Sequence, residues 1–506
     1  MNVPQSLRFV PRALALAVSC ALCACAVGPN FHEPKADQPD AFASRPAAVG
    51  NPVDPAKWWH ALSDPELDSL VDRGLQGNTD LDIALARLQE ARTFEIALTG
   101  YALPRVEAGS GGGRGTGSDM TRGRAPSPLQ SADHTLGGAT RITQVSGFDA
   151  AWDIDLFGRF RREIEAARFD AQAAAAARDA VQVAVVADVV RAYIDLRGLQ
   201  VQLAVLRQNE QASKDLLGLV QARFDRGITN ELDLTLAQRE SASVESQVAP
   251  LAAQVDAAAY TIAVLLGRFP EEMKEELSRP GLLPRLPQEV DPGQPLDLIR
   301  RRPDVRAAEW ELGAATARVG VAVADLFPRL SLSAGLGVQG QGLAYTPQSS
   351  QRIWSAGYSA ILPLLDFGVL DSYVEIADLQ ARAALVNYKH TVQAAVQDVD
   401  TAMDAFQSQE DRLARLGEAV AASQRATKLA TERYDRGLTD FLNVVDAQRT
   451  EYDLEGQYAV AETTAAEQFT ALYRALGGGW EQYGGPPALR TPNPAIVAMF
   501  RRLVSP

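Results

Sequence analysis

Between Arg159 and Ala222 the chain has no proline, and alanine recurs beside charged residues through EAARFDAQAAAAARDAVQVAVVADVVRAYIDL. Alanine is the strongest helix former and no two-residue alternation competes with it. The roughly 64 residues therefore predict one helix, about 96 Å long at about 1.5 Å per residue. A second proline-free stretch of equal length runs from Val369 to Glu432. Both are several times the usual globular helix. Each leads into a glycine, then a threonine and an Asn or Asp: Gly227, Thr229 and Asn230 in one, Gly437, Thr439 and Asp440 in the other. Glycine suits the left-handed position that ends a helix, and the side-chain oxygens suit the start of the next. Each long helix thus predicts a tight tip and a return helix, through LDLTLAQRESASVESQVA in the first and LNVVDAQRTEYDLEGQYAVAETTAAEQFTALYRAL in the second.

Shorter helices are expected over 78–102 and 302–326, and between the short and long helices the period changes to two. Leu330, Leu332, Ala334, Leu336 and Val338 alternate with Ser331, Ser333, Gly335, Gly337 and Gln339. Phe148, Ala150, Trp152, Ile154 and Leu156 alternate with Asp149, Ala151, Asp153 and Asp155. One face suits lipid and the other water, at about the length that crosses a bilayer. Two further strands, near 104–114 and 355–366, alternate less cleanly. Four strands cannot close a barrel and an open edge is not tolerated in lipid, so the chain must oligomerise. Two, three or four copies give eight, twelve or sixteen strands, and periodicity does not choose among them.

The two halves are one unit written twice. RFDRGITNELDLTLAQRE at 223–240 aligns with RYDRGLTDFLNVVDAQRT at 433–450, an offset of 210 that also pairs Phe157 with Phe367 and Asp188 with Asp398. Upstream the offset is 224: Asp80 meets Asp304, Ala84 meets Ala308, and Pro104 with Arg105 meets Pro328 with Arg329. The first copy carries 14 extra residues between these landmarks, assigned to a Gly/Ser/Thr/Pro-rich loop at 115–143, whose counterpart is 341–352. The resulting division is a leader at 1–24, an N-terminal segment at 25–77 and a first repeat at 78–270 with its tip near 225–233. A linker at 271–301, a second repeat at 302–476 with its tip near 435–446, and a tail at 477–506 follow.

Composition narrows the chemistry. Arg8 and Arg12 precede a short apolar run, Ala13 to Ala24, that ends in Leu22, Cys23, Ala24 and Cys25. This resembles a bacterial lipobox, in which the cysteine is acylated and becomes the first mature residue. Ala26, where an Asp would resemble an inner-membrane retention signal, points to the outer membrane. Cleavage before Cys25 removes Cys20 and Cys23, so the mature chain has no disulfide and no cysteine metal site. Cys25 is the expected lipidation site, carrying a diacylglycerol and an N-acyl chain; no other cofactor and no metal site is expected. A net charge of −14 without a basic cluster argues against nucleic acid. After the leader no run of 18 apolar residues occurs, which excludes transmembrane helices and leaves strands.

No catalytic arrangement appears. Gly335 to Gly340 matches GxGxxG, but a loop rather than a helix is expected after it. His32, His60, His134 and His390 are scattered, without metal-ligand spacing. The chain is read as a non-enzyme.

WWHALSDPELDSLVDRGLQGNTDLDIALARLQEAR, FDAAWDIDLFGRFRREIEAA, RRPDVRAAEW and YDRGLTDFLNVVDAQR together resemble the TolC-like outer-membrane factors, in the lipoprotein branch typified by OprM and NodT. The resemblance covers about residues 25–485. It implies a mainly α chain with a membrane β-barrel: a homotrimer sharing twelve strands, and helical hairpins forming a periplasmic α-barrel tunnel, built on an internal two-fold repeat. It also implies a passive duct for small molecules in a tripartite efflux system, with a periplasmic membrane-fusion adaptor, a proton-driven inner-membrane transporter and outer-membrane lipid as partners. A non-conducting structural lipoprotein, or an exit duct for type I secretion or metal ions, are the alternatives.

In that family the tips form the periplasmic entrance. Carried over, the gate comprises Asp446, Asn443, Asp233, Tyr434 and Thr439, and the adaptor contacts comprise Gly227, Thr229, Gly437 and Thr439. A carboxylate repeated by threefold symmetry concentrates negative charge at a constriction, favouring cations. Asp446 has Leu236 as its repeat partner, and Asn443 stands where the family often has an acid. Asp233 and Asp440 also suit a helix N-terminus by charge alone. Arg226 and Arg436 are expected either to pair with neighbouring acids or to sit solvated.

Overall fold

A computed structural model describes residues 26–34, 42–43, 53–116, 140–287, 301–343 and 349–481. Cys25, the leader, and the tail from 482 onward lie outside the described residues. A 3₁₀ segment, Pro55–Leu62, is followed by α1 (Pro65–Gly77), α2 (Thr79–Tyr101), β1 (Arg105–Thr116) and β2 (Thr140–Ile154). The long helix α3 (Arg159–Asp225) and its return α4 (Glu231–Leu265) complete the first half, and α5 (Pro270–Leu277) lies at the junction. The second half repeats the order as α6 (Pro303–Ala324), β3 (Arg329–Leu343), β4 (Ser349–Ile361), α7 (Val369–Asp435) and α8 (Phe441–Ala475). Both long helices have 67 residues and both return helices 35.

The chain divides into two compact units. In the first, the strands form one antiparallel sheet in the order β1-β2-β3-β4. The register carries the repeat: Arg105 faces Ala151 and Arg329 faces Ile361, partners displaced by 224 and 210 positions respectively. Val106, Phe148, Leu336, Trp354 and Tyr358 stand exposed on one face. Gly147 and Gly337 face each other, and a Cβ on Gly147 would lie 2.6 Å from the Leu336 carbonyl. Below the sheet's ends, Phe157 stacks on Phe327 with centroids 4.7 Å apart and Phe169 on Trp310 at 5.8 Å, tying α3 to α6. The GxGxxG segment lies wholly within β3.

The second unit has an aromatic core. Trp58 and Trp59 are buried, and Trp58 stacks on Tyr473 at 5.4 Å with Phe469 edge-on. Asp64 caps α1 through the Glu66 N–H at 2.9 Å and accepts from the Tyr193 hydroxyl at 2.7 Å. The join between return and short helices is the same in both repeats although its residues differ. The Asn78 amide donates to the Leu265 carbonyl at 2.8 Å, and Arg302, 224 positions on, donates to the Ala475 carbonyl at 3.0 Å. In each case the side chain at the start of a short helix satisfies a terminal carbonyl of the return helix.

Several boundaries differ from expectation. The segment at 271–301 read as linker includes most of α5, opened by Pro270 with Glu271 and Glu272 in its first turn. β2 begins at Thr140, inside the segment read as loop, because it pairs with β1 as far as Thr116. β4 runs from Ser349 to Ile361 rather than 355–366, and Pro363 has no N–H for a ladder. α4 continues through Pro250 to Leu265, held by buried Val255, Ala259 and Ile262. Among the described residues one helix, α4, is long and apolar enough by average composition to cross a membrane, although Glu240, Glu245 and Asp256 break any continuous apolar run. Counting runs had excluded it; its packing makes it the return arm of a hairpin.

Candidate functional site at the helix tips

The two tips share one backbone. Gly227 (φ 70°) donates to the Phe224 carbonyl at 2.8 Å and Ile228 to that of Arg223 at 2.9 Å. Gly437 (φ 68°) and Leu438 repeat both bonds to Tyr434 and Arg433, each at 2.9 Å. This paired pattern satisfies the last carbonyls of α3 and α7 and requires the left-handed residue that glycine supplies. A Cβ on either glycine would meet open space, so the constraint is conformational.

The next turns differ in chemistry. In the first tip Asn230 caps α4 by accepting from the Asp233 N–H at 2.9 Å, and the Thr229 hydroxyl donates to the Asp233 carboxylate. In the second, the Asn443 amide donates to the Thr439 hydroxyl at 2.9 Å and the Asp440 side chain makes no capping bond. The threonine-to-fourth-residue contact survives with its polarity reversed, because an amide donates where a carboxylate only accepts.

The two hairpins are fastened just behind the tips. Val220, Leu234 and Ala237 pack with Tyr434, Phe441, Val444 and Val445 in one buried cluster. Tyr434 therefore stands apart from the other expected gate residues: it is 5% exposed, its ring 5.2 Å from Phe441, and its hydroxyl has no partner among the described residues. The Arg223 guanidinium lies over that ring at 4.6 Å and reaches Asp435 at 3.7 Å. Arg226 and Arg436 are exposed and make no ion pair among the described residues. The arginine that joins the hairpins was missed in the sequence because its partners lie about 210 positions away and its repeat counterpart, Arg433, is exposed.

The acids separate in the same way. Asp233 is half-buried and held by Thr229. Asp446 is exposed on α8, whereas its counterpart Leu236 packs against the cluster. Around the apices Ile228, Leu232, Leu438 and Leu442 are all exposed, and Ile228 and Leu438 are the central residues of the Gly-Ile-Thr and Gly-Leu-Thr turns.

Residues 26–30 are fixed in the other unit. Val27 donates to the Phe157 carbonyl at 3.1 Å, and Arg162 donates to the carbonyls of Val27 at 3.0 Å and Gly28 at 3.2 Å and to the Asn30 side chain at 2.7 Å. Ala26 lies against Gly158, directly after β2.

Among the described residues the four strands form one sheet with two unpaired edges, which cannot close a barrel within one chain and calls for further copies. The family model for "Outer membrane efflux protein" matches residues 70–268 and 295–478, and the chain belongs to that family. It is 29% identical over 462 residues to Nodulation protein T of Rhizobium leguminosarum bv. trifolii, covering 91% of this chain and 96% of that one. With the outer membrane protein OprJ of Pseudomonas aeruginosa it shares 29% over 477 residues, 92% and 96% of the two chains. The solved outer-membrane channel OprN superposes with a TM-score of 0.79 at 36% identity, covering 90% of this chain and all of that one. The protein is an outer-membrane efflux channel in which three chains share a twelve-stranded β-barrel and an α-helical tunnel.

Proposed function

We propose that this channel is the passive exit duct for small molecules in a tripartite pump, gated at its periplasmic tips by a ring of three Asp446 carboxylates. The observation that carries this reading is the asymmetry of the tips: Asp446 is exposed, with no side-chain partner among the described residues, while Leu236 at the equivalent position is packed away. Three copies give one carboxylate per 120°, and their field favours cations. Asp233, Asn443 and Thr439 shape the turns, and Tyr434 holds the hairpins that carry the ring. Single-channel recording tests it: Asp446→Ala and Asp446→Asn should lower cation selectivity, and unchanged selectivity would sink the ring.

The adaptor seats on the apices, with Gly227, Thr229, Gly437 and Thr439 setting the turn and Ile228 and Leu438 offering apolar contact. A proton-driven inner-membrane transporter supplies the energy. Cys25 carries the lipid; what supports this is the pinning of Val27 and Gly28 beside the foot of β2, which holds the mature N-terminus at the barrel's end. Cys25→Ser should abolish incorporation of labelled palmitate. Relatives are named for export of pyoverdine, for toluene efflux and for cation efflux. Small-molecule cargo is the reading for this chain, with choice among cargos made by the transporter.

A further inference from the structure

Within the chain, β1 and β4 each have one unpaired edge, and in lipid neither edge can remain open. The trimeric barrel closes them against each other across the subunit boundary. The internal repeat supplies the register of that closure. The pairings β1–β2 and β3–β4 superimpose under the shifts of 224 and 210 without a slip, so the shifts are valid for the sheet itself. The remaining pairing, β2–β3, joins the second strand of one repeat to the first strand of the next. Its image under the same shifts is β4 of one subunit against β1 of the partner.

We propose that β4 pairs antiparallel with the partner's β1 in the register that sets Ser359 opposite the partner's Gly111 and Ala360 opposite the partner's Ser110. Two observations support it independently of the arithmetic. The Gly147–Gly337 pair, where a Cβ on either strand would lie within 2.8 Å of the facing backbone, maps onto Gly357 opposite the partner's Gly113. Glycine again meets glycine. The register also keeps faces matched: Tyr358 and Ala360 share the apolar face of β4, and Ser110 and Gly112 occupy the same face of β1 as Val106. A slip by one residue would turn every outward side chain inward.

The image continues past the sheet. Phe157 rests on Phe327 within the chain, and these map to Phe367 and the partner's Leu103. Phe367 is 90% exposed within its own chain, a large apolar ring with no cover there. The neighbour that the repeat places beside it would supply that cover. This inference rests on the trimeric barrel, and its test separates the two.

Gly111→Cys and Ser359→Cys are combined in a chain whose three cysteines all lie at 20–25. Directly opposed residues of an antiparallel pair lie about 4.5–5.5 Å apart at Cα, inside the disulfide range, whereas diagonal neighbours at about 7–8 Å lie outside it. The same two positions within one chain lie at least three strand spacings apart, more than about 14 Å, so any bridge is between subunits. Mild oxidation should convert the monomer band on a non-reducing gel into covalent dimer and trimer. Gly111→Cys with Gly357→Cys, or with Ile361→Cys, should remain monomeric. Ser110→Cys with Ala360→Cys tests the same register on the lipid face should the first pair disturb assembly. A native mass of three chains with cross-linking only in a displaced pair overturns the register alone. A wild-type mass other than three chains overturns the trimeric barrel and the register with it.

Discussion

A buried tyrosine whose hydroxyl has no partner is held by its ring alone. At Tyr434 the ring contacts Phe441 and lies under Arg223, so the position contributes packing and a cation–π contact. Tyr434→Phe should leave stability and conductance unchanged, since it removes only an unsatisfied polar atom. Tyr434→Ala should cost about 3–5 kcal/mol, typical of an excised buried aromatic, and part the hairpins at their tips. Denaturant unfolding of both variants checks it; equal losses would place the energy in the hydroxyl instead. Asp446 and Leu236 show the opposite use of one repeated position, as one faces water and the other supports the cluster. The sequence showed that these residues differ. It did not show that Leu236 packs on the neighbouring hairpin, because that contact joins segments far apart in the chain.

At the level of elements, the joins between helices are more conserved than the residues that make them. Asn78 and Arg302 perform one task with different chemistry, and Arg302 adds contacts to Asp304 at 2.6 Å and Asp398 at 3.1 Å. A lysine has one charged centre and cannot address a carbonyl and two carboxylates in a plane. Arg302→Lys should therefore destabilise nearly as much as Arg302→Ala. The expected loss lies between the roughly 1 kcal/mol of an exposed pair and the roughly 3–5 kcal/mol of a buried one, since the aspartates are half-exposed. Thermal melts of the two variants decide it, and full rescue by lysine would reduce the site to a point charge. The long helices and tips were legible because alanine, glycine and capping residues act locally. α5 escaped notice because eight residues give too few turns for a period, though Pro270 and the acids behind it were a usable start signal. The end of β4 was misplaced because Leu362 to Leu365 are apolar enough to read as strand while Pro363 interrupts the ladder.

Across the whole molecule, burial in the helical region leaves a pH signature. Glu467 on α8 is pushed up to about 8 by burial and by a hydrogen bond with the Asp195 carboxyl, against which Arg191 at 3.8 Å acts only weakly. Glu462, raised by burial, acts in the same direction. A carboxyl whose folded value lies above its ordinary 4.5 stabilises the fold below that value and loses the contribution as pH rises through about 8. Thermal stability should fall between pH 5 and about 8, and Glu467→Gln should flatten that slope. An unaltered slope in the variant would assign it to other groups. That the chain must oligomerise followed from counting strands against the demand for a closed barrel, but the number three came from the family, since eight or sixteen strands close equally well.

Three chains bring six hairpin tips, and their backbones are alike. Their chemistry is not: one apex carries Asn230 and a tethered Asp233, the next Asp440, Asn443 and an exposed Asp446. A partner that samples the rim meets two kinds of seat in alternation, three of each. A ring of six identical subunits docking there would split into two affinity classes, and three subunits would fill one class before the other.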